Sequence, residues 1–171
     1  MDSGELREGE LRRIRQVMDI AFEGRFSDDD WDHALGGTQV IVEDGGDVLS
    51  HASVVPRTLR VGGRRVSTGY VEAVATGPPS QRRGFGTEVM SEVAQVIAER
   101  YELGALSTAS PGFYTRLGWE LWTGPTAVVS SAGLVPTPDD DGGILVLRPP
   151  TAKTLDLTAT IVCEWREGDL W

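Results

Sequence analysis

Leu11, Ile14, Val17, Met18 and Phe22 recur at helical spacing between Leu6 and Glu23, with arginines on the opposite face, which predicts an amphipathic helix. Ser27 followed three residues on by Asp30 has the form of a capping box, so a second short helix is expected over Asp28–Leu35, ended by Gly36-Gly37. The period then shortens. Thr38–Glu43 predicts a strand, Asp44-Gly45-Gly46 a hairpin turn, and Asp47–Val61 the partner strand. Pro56 has no N–H to donate, so the partner strand is expected to bend there at an edge or a bulge. Gly62-Gly63 makes the next turn and Arg64–Thr76 a third strand; the first half is two helices and a three-stranded antiparallel meander. Gly77-Pro78-Pro79 is a loop, after which Phe85, Val89, Val93 and Val96/Ile97 mark a helix over Thr87–Arg100. Beyond it, Gly104–Thr108 is a short strand and Pro111–Leu117 a short helix begun by proline. Trp119–Trp122, Ala127–Ser130, Gly143–Leu147 and Ala159–Cys163 are further strands, and Pro136–Gly142 is a turn-rich acidic loop. There is no internal repeat or low-complexity linker.

Composition narrows the picture. The 171 residues are expected to form one domain with its own core, and 40% hydrophobic with 25% charged residues is ordinary for a globular chain. The net charge is −10 and Lys153 is the single lysine, a balance that argues against a nucleic-acid partner and suits a cationic ligand. One cysteine, Cys163, excludes an internal disulfide and fits a reducing, cytoplasmic compartment. The polar start Met1–Glu5 predicts no signal peptide, and no apolar run is long enough to span a membrane.

Three places could carry chemistry. Gln81-Arg82-Arg83-Gly84-Phe85-Gly86, with Thr87, joins a strand to a helix N-terminus. There unpaired N–H groups and the positive end of the dipole attract an anion, although a plain strand-to-helix turn has the same form. No Gly-Lys-Ser/Thr follows, so this is not a nucleotide P-loop. Glu72, mid-strand in Tyr70-Val-Glu-Ala-Val74, shares a face with Tyr70 and Val74; it is either solvent-facing or buried for a reason. Tyr114 either packs its short helix on the core with Phe113 and Leu117 or presents a phenol to a leaving group. The acids at 28, 30 and 32 have the spacing of a calcium loop, but the sixth position lacks glycine and the twelfth is Gln39, so that reading fails. His33 and His51 belong to no metal-ligand constellation and are structural or exposed; no metal is expected. Cys163 reads as a small buried hydrophobe.

Gln81–Gly86 matches Gln/Arg-x-x-Gly-x-Gly/Ala, the pyrophosphate-binding turn of the acyl-CoA-dependent N-acetyltransferases of the GNAT superfamily. Pro111–Trp119, a short helix bearing a tyrosine and ending at glycine before an aromatic, is a second match in the right order. Over nearly its whole length the chain resembles the aminoglycoside 2′-N-acetyltransferases. The stretches that carry this are Asp30–Gly37, Gly69–Ala73, Tyr101–Ser107, Thr137–Gly142 and the ending Cys163–Trp171. The resemblance implies an α/β (α+β) GNAT fold, a mixed, twisted central sheet flanked by helices, forming one domain over residues 1–171. It implies acetyl-CoA as co-substrate, an aminoglycoside as acceptor, antibiotic resistance as outcome, and a homodimer. Gln81, Arg82, Arg83, Gly84, Phe85, Gly86 and Thr87 would hold the pyrophosphate, and the backbone of Val74, Ala75 and Thr76 would lie along the pantetheine arm. Glu72 would be the general base by way of bound water and Tyr114 the general acid. Asp30, Asp139, Asp140, Asp169 and the terminal carboxylate of Trp171 would bind the drug's ammonium groups. Ala73 and Ser107 would lie near the sugar; Trp31 and Trp165 either wall it or, as lone aromatics, belong to the core.

Three departures stand out. Only about ten polar residues precede Leu11 where relatives have a first strand, so that strand is expected to be missing or truncated. Arg25 stands where relatives commonly carry an acid, and the stretch between Ser107 and Tyr114 is shorter. Two rival readings follow: an acetyltransferase of a cellular amine with drug acetylation incidental, or an acyl-CoA- or aminoglycoside-binding protein with little turnover. Retention of Glu72 and Tyr114 argues against the second, because a binder needs neither.

Overall fold

The computed structural model describes residues 1–150, 152 and 154–171. Helix α1 spans Glu8–Ala21. It is capped by the Arg7 backbone N–H, which donates to Glu10 Oε2 at 2.8 Å, and it buries Ile14 and Met18 completely. Helix α2, Asp28–Ala34, begins at the expected box: Asp30 N–H donates to Ser27 Oγ at 3.1 Å and Ser27 N–H to Asp30 Oδ2 at 2.8 Å. Strands β1 (Thr38–Asp44), β2 (Asp47–Val61) and β3 (Arg64–Thr76) follow. Their turns have both central glycines at positive φ: Gly45 at 58° and Gly46 at 90°, Gly62 at 55° and Gly63 at 85°. That pair of left-handed residues matches the twist of a two-residue hairpin. Helix α3 (Phe85–Arg100) leads to β4 (Leu103–Ser107), α4 (Pro111–Thr115) and strands β5 (Glu120–Leu121), β6 (Thr126–Ser130), β7 (Gly133–Pro136), β8 (Ile144–Leu147) and β9 (Ile161–Glu164).

The chain divides into two compact units, Met1–Val55 with Val71–Val96, and Pro56–Tyr70 with Ile97–Trp171. In the first, β1 pairs antiparallel with β2 from Thr38↔Val54 to Asp44↔Asp47, with a register shift between Val42 and Glu43. Its core is Leu6, Ile14, Met18, Phe26 and Ala75, with Trp31 and Ala73 among the half-buried residues packed on it. Burying an aliphatic side chain of this size stabilises by about 1.5–3 kcal/mol. The first strand expected to be missing or truncated is a single bridge, Asp2 with Thr38, flanked by Gln39 N–H to Met1 O (2.7 Å) and Ser3 N–H to Gly37 O (2.9 Å).

In the second unit the strand order is β5-β8-β4-β3-β2-β9-β6-β7. β4 runs parallel to β3 and β9 parallel to β6, while β8 is antiparallel to β4 and β5, and β7 to β6. The parallel step from β3 to β4 requires a crossover, and α3 supplies it. The last turns of α3 sit close on β4 because Gly104 has no side chain: a Cβ there would lie 2.7 Å from Ile97 Cδ1. Pro56 falls between Val54, the last β2 residue paired to β1, and Arg60, the first paired to β9, so its missing N–H interrupts neither ladder. Three features depart from expectation. β7 appears where no strand was foreseen, Pro78–Ser80 and Pro138–Asp140 are 3-10 turns, and α3 starts two residues early at Phe85. Among the described residues no helix is long and apolar enough to cross a membrane.

Candidate active site

The first unit carries the distal half of β3. The alternation expected through Tyr70–Val74 breaks there: Tyr70 and Val71 are buried, Glu72, Ala73 and Val74 all half-buried, and Ala75 buried again. The cause is Ala73, whose φ of 51° lies in the left-handed region that alanine seldom adopts. Its neighbours' carbonyls are taken by side chains of β2. Ser53 Oγ donates to Glu72 O at 3.2 Å, Ser50 Oγ to Ala75 O at 3.0 Å, and a His51 ring nitrogen lies 2.9 Å from Ala73 O. Farther on, Gln81 Nε2 donates to Thr76 O at 3.2 Å, fixing the turn to the strand end.

That turn is open. Gln81 to Gly84 are exposed, Arg82 has φ 61° and Gly84 φ 95°. The first intrahelical bond of α3 is donated by Glu88 to Gly84 O at 3.0 Å, so the amides of Phe85, Gly86 and Thr87 precede it. Those amides and the positive end of a 16-residue helix form a cradle for an anionic group, with the Arg83 guanidinium stacked 5.1 Å from the Phe85 ring beside it. In the same unit, Asp30 spends one carboxylate oxygen on the α2 cap, and Trp31 meets Phe26 edge-on at 6.4 Å with Arg15 over its ring at 5.8 Å. Arg25 pairs with Glu23 at 3.2 Å, both well exposed, so the guanidinium that stands where relatives carry an acid has a carboxylate beside it.

The second unit gathers the acidic loop. Thr126 N–H and Oγ both donate to Asp141 Oδ1 at 2.8 Å, and Thr126 Oγ also lies 2.6 Å from Thr137 O. Trp171 is buried, its indole Nε1 donating to Thr137 Oγ1 at 3.1 Å, so the last residue is tied to the loop that bears Asp139 and Asp140. Burial holds the Asp140 carboxyl above its ordinary range, with Thr137 opposing by a hydrogen bond and Asp139, Asp169 and Asp141 adding repulsion. Asp139, Asp140 and Asp169 thus stand near one another. Ser107, exposed at the end of β4, is opposite Ile144, and Thr108 N–H donates to Gly143 O at 2.9 Å, which brings the strand end beside this loop. Tyr114 on α4 packs edge-on against Phe113 (4.9 Å) and Trp119 (6.3 Å), and burial pushes its phenol up to about 12. Trp165, foreseen as a wall or a core aromatic, is 56% exposed. Reasoning from the sequence missed Thr126, Thr137 and Asp141, which shape the loop rather than face a ligand, and Ser50, His51 and Ser53. Their signal was available only as polar residues inside a strand. Among the described residues no cluster of His, Cys, Asp or Glu is arranged to hold a metal ion.

Comparison with known proteins agrees in kind. Residues 4–122 match the acetyltransferase (GNAT) domain. The aminoglycoside 2′-N-acetyltransferase of Mycolicibacterium fortuitum is 44% identical, covering 98% of this chain and 86% of its own. Among solved structures, the GNAT family N-acetyltransferase YhbS of Escherichia coli, in complex with CoA, superposes with a TM-score of 0.67 at 16% identity, over 95% of this chain and 87% of that one. A GNAT family acetyltransferase of Brucella melitensis in complex with acetyl-CoA gives 0.59 at 20% identity, over 88% and 90%. Four other matched structures are longer, and this chain spans 31% to 33% of them. At such identities the structures speak for the fold alone: a mixed sheet with flanking helices, the acetyltransferase fold.

Proposed function

The chain belongs to the GNAT acetyltransferases and, within them, to the family of aminoglycoside 2′-N-acetyltransferases, and from that premise we propose that it transfers acetyl from acetyl-CoA to the 2′-amino group of an aminoglycoside. The observation that carries this is the likeness to the Mycolicibacterium fortuitum enzyme along almost the entire chain. The open turn of Gln81–Thr87 takes the pyrophosphate of acetyl-CoA, and the amides after the Ala73 kink, in Val74–Thr76, run along the pantetheine and polarise the thioester carbonyl.

The attacking amine must first become neutral, because an ammonium has no lone pair. Glu72 accepts that proton through a water, the neutral nitrogen adds to the carbonyl carbon and forms the C–N bond, and collapse of the tetrahedral intermediate re-forms C=O and breaks the C–S bond, the nitrogen's second proton passing to the departing thiolate. Tyr114 faces the departing sulfur. Its phenol, pushed up to about 12, is a weaker acid than a thiol at about 8.5. It therefore stabilises the thiolate by donating a hydrogen bond rather than by giving up its proton outright. Asp139, Asp140 and Asp169, with Asp30 and the Trp171 carboxylate, hold the acceptor's other ammonium groups, and mutual repulsion among the acids is relieved when cations arrive. Ser107, Ala73 and Trp31 line the sugar. All 171 residues serve this one acetyltransferase domain, in the cytoplasm and as a homodimer.

The test is one contrast. Purified protein and acetyl-CoA are mixed with kanamycin B, which has an amine at the 2′ position, or with kanamycin A, which has a hydroxyl, and free thiol is followed. Release with kanamycin B alone is expected; equal release with both would move the acetylated position elsewhere, and release with neither would leave the acceptor to be sought among cellular amines.

A further inference from the structure

His51 is completely buried on β2, yet it is no ordinary core residue. Its Nδ1 lies 2.9 Å from Ala73 O and its Nε2 lies 2.7 Å from Gln39 Oε1. Gln39, 2% exposed, is itself locked: its Nε2 donates to Ala34 O at 2.7 Å and to Ser3 Oγ at 2.8 Å, and Ser3 Oγ donates on to Gly37 O at 2.7 Å. Turning the amide over would set its oxygen against the Ala34 carbonyl, two acceptors face to face, so the acceptors on Ala34 and Ser3 fix its orientation. A chain of polar groups therefore runs from Ser3 and the end of α2, through the buried Gln39 and His51, to Ala73, a β3 residue held at positive φ.

The arrangement concerns Ala73 because of what an αL residue does to a strand. It turns its carbonyl out of the line of the ladder, and a buried carbonyl that leaves the ladder needs another donor. His51 is that donor; burial opposes the charged ring by pushing it down to about 4, with the bond to Ala73 pulling the other way. Ala73 O can only accept, so Nδ1 carries a hydrogen; the fixed Gln39 Oε1 accepts as well, so Nε2 donates to it only in the doubly protonated ring that burial opposes. Glu72 lies immediately before the kink and the amides of Val74–Thr76 immediately after it. Whatever fixes the conformation of Ala73 fixes the relative direction of both.

We propose that His51, braced by Gln39, is a positioning residue for acetyl transfer: its Nδ1–H holds the Ala73 carbonyl and so keeps the strand kinked between the base and the thioester-polarising amides. This rests on the reading of Glu72 and Val74–Thr76 given above. His51→Leu removes both ring contacts, His51→Asn retains a donor that reaches Ala73 O but not Gln39, and Gln39→Met removes the brace while leaving the imidazole in place. For each, acetyl-CoA affinity by calorimetry, steady-state kinetics with kanamycin B, and hydrogen exchange of the peptide covering residues 72–76 are measured.

The expected result is that His51→Leu speeds exchange in 72–76 at least tenfold and lowers kcat about 10- to 100-fold, while acetyl-CoA affinity stays within threefold because the turn at 81–87 is untouched. His51→Asn recovers most of kcat, and Gln39→Met falls between. Unchanged exchange at 72–76, or a kcat within threefold of the parent in folded His51→Leu, would overturn the proposal. If His51→Leu does not fold, Gln39→Met decides by the same two readouts. If the parent itself acetylates no aminoglycoside, the functional reading fails alone, and the exchange data still decide whether His51 holds the kink.

Discussion

Glu72 and Tyr114 put their roles within reach of single substitutions. Glu72→Gln keeps the size and the strand but cannot accept a proton. It should lower kcat by about 10²-fold or more with acetyl-CoA affinity nearly intact; turnover at the parent rate would dismiss the base assignment. Tyr114 makes a statement about pH. Because burial pushes the phenol up to about 12, it remains protonated throughout the alkaline range in which the amine substrate becomes neutral. The rate should therefore rise with pH and show no Tyr114-dependent decline below about pH 11. Tyr114→Phe should lower the plateau roughly 10- to 100-fold without moving the acid limb. A pH–rate series on both proteins checks this, and an alkaline decline abolished by Tyr114→Phe would contradict it.

Among the elements, the turn into α3 depends on one backbone conformation. Gly84 sits at φ 95° with open space where a Cβ would go, so a side chain there meets no atom and suffers only from its backbone geometry. Gly84→Ala should cost about 1–3 kcal/mol at the turn. Much of that should appear as a KM for acetyl-CoA raised roughly tenfold with kcat little changed, measurable by calorimetry with coenzyme A. The ends of β2 and β3 were legible because Gly45-Gly46, Gly62-Gly63 and Gly77-Pro78 punctuate them, and α2 because Ser27 and Asp30 spell its cap. The kink in β3 was not, since an alanine gives no sign of a positive φ; the donors that stabilise it lie 20-odd residues earlier on another strand. β7 was also hidden. Its four residues are all exposed, so no burial period marks it, and only backbone pairing with β6 makes it a strand. Asp141 was left out of the candidate ligands, and nothing in the sequence marked it as the acid that accepts both Thr126 donors and builds the loop.

At the scale of the whole molecule, a net charge of −10 favours the approach of a polycation and opposes that of an anionic thioester. Salt should act on the two substrates in opposite directions. Raising ionic strength from about 0.05 to 0.5 M should increase KM for the aminoglycoside roughly 3- to 10-fold, while KM for acetyl-CoA stays level or falls. Initial rates at several salt concentrations measure both, and parallel changes would mean that steering is not electrostatic. The strand through Glu72 has a consequence at this scale too. In a regular sheet each residue brings its own N–H and C=O, so the course of a strand survives almost any substitution beside it. Here three side chains on β2, at Ser50, His51 and Ser53, also bind carbonyls of β3. The shape of this strand is thereby written in mutable letters. Under selection for a new acceptor, single changes at these buried positions can re-aim the Glu72 carboxylate, giving such a lineage a second, hidden set of sites on which adaptation can work.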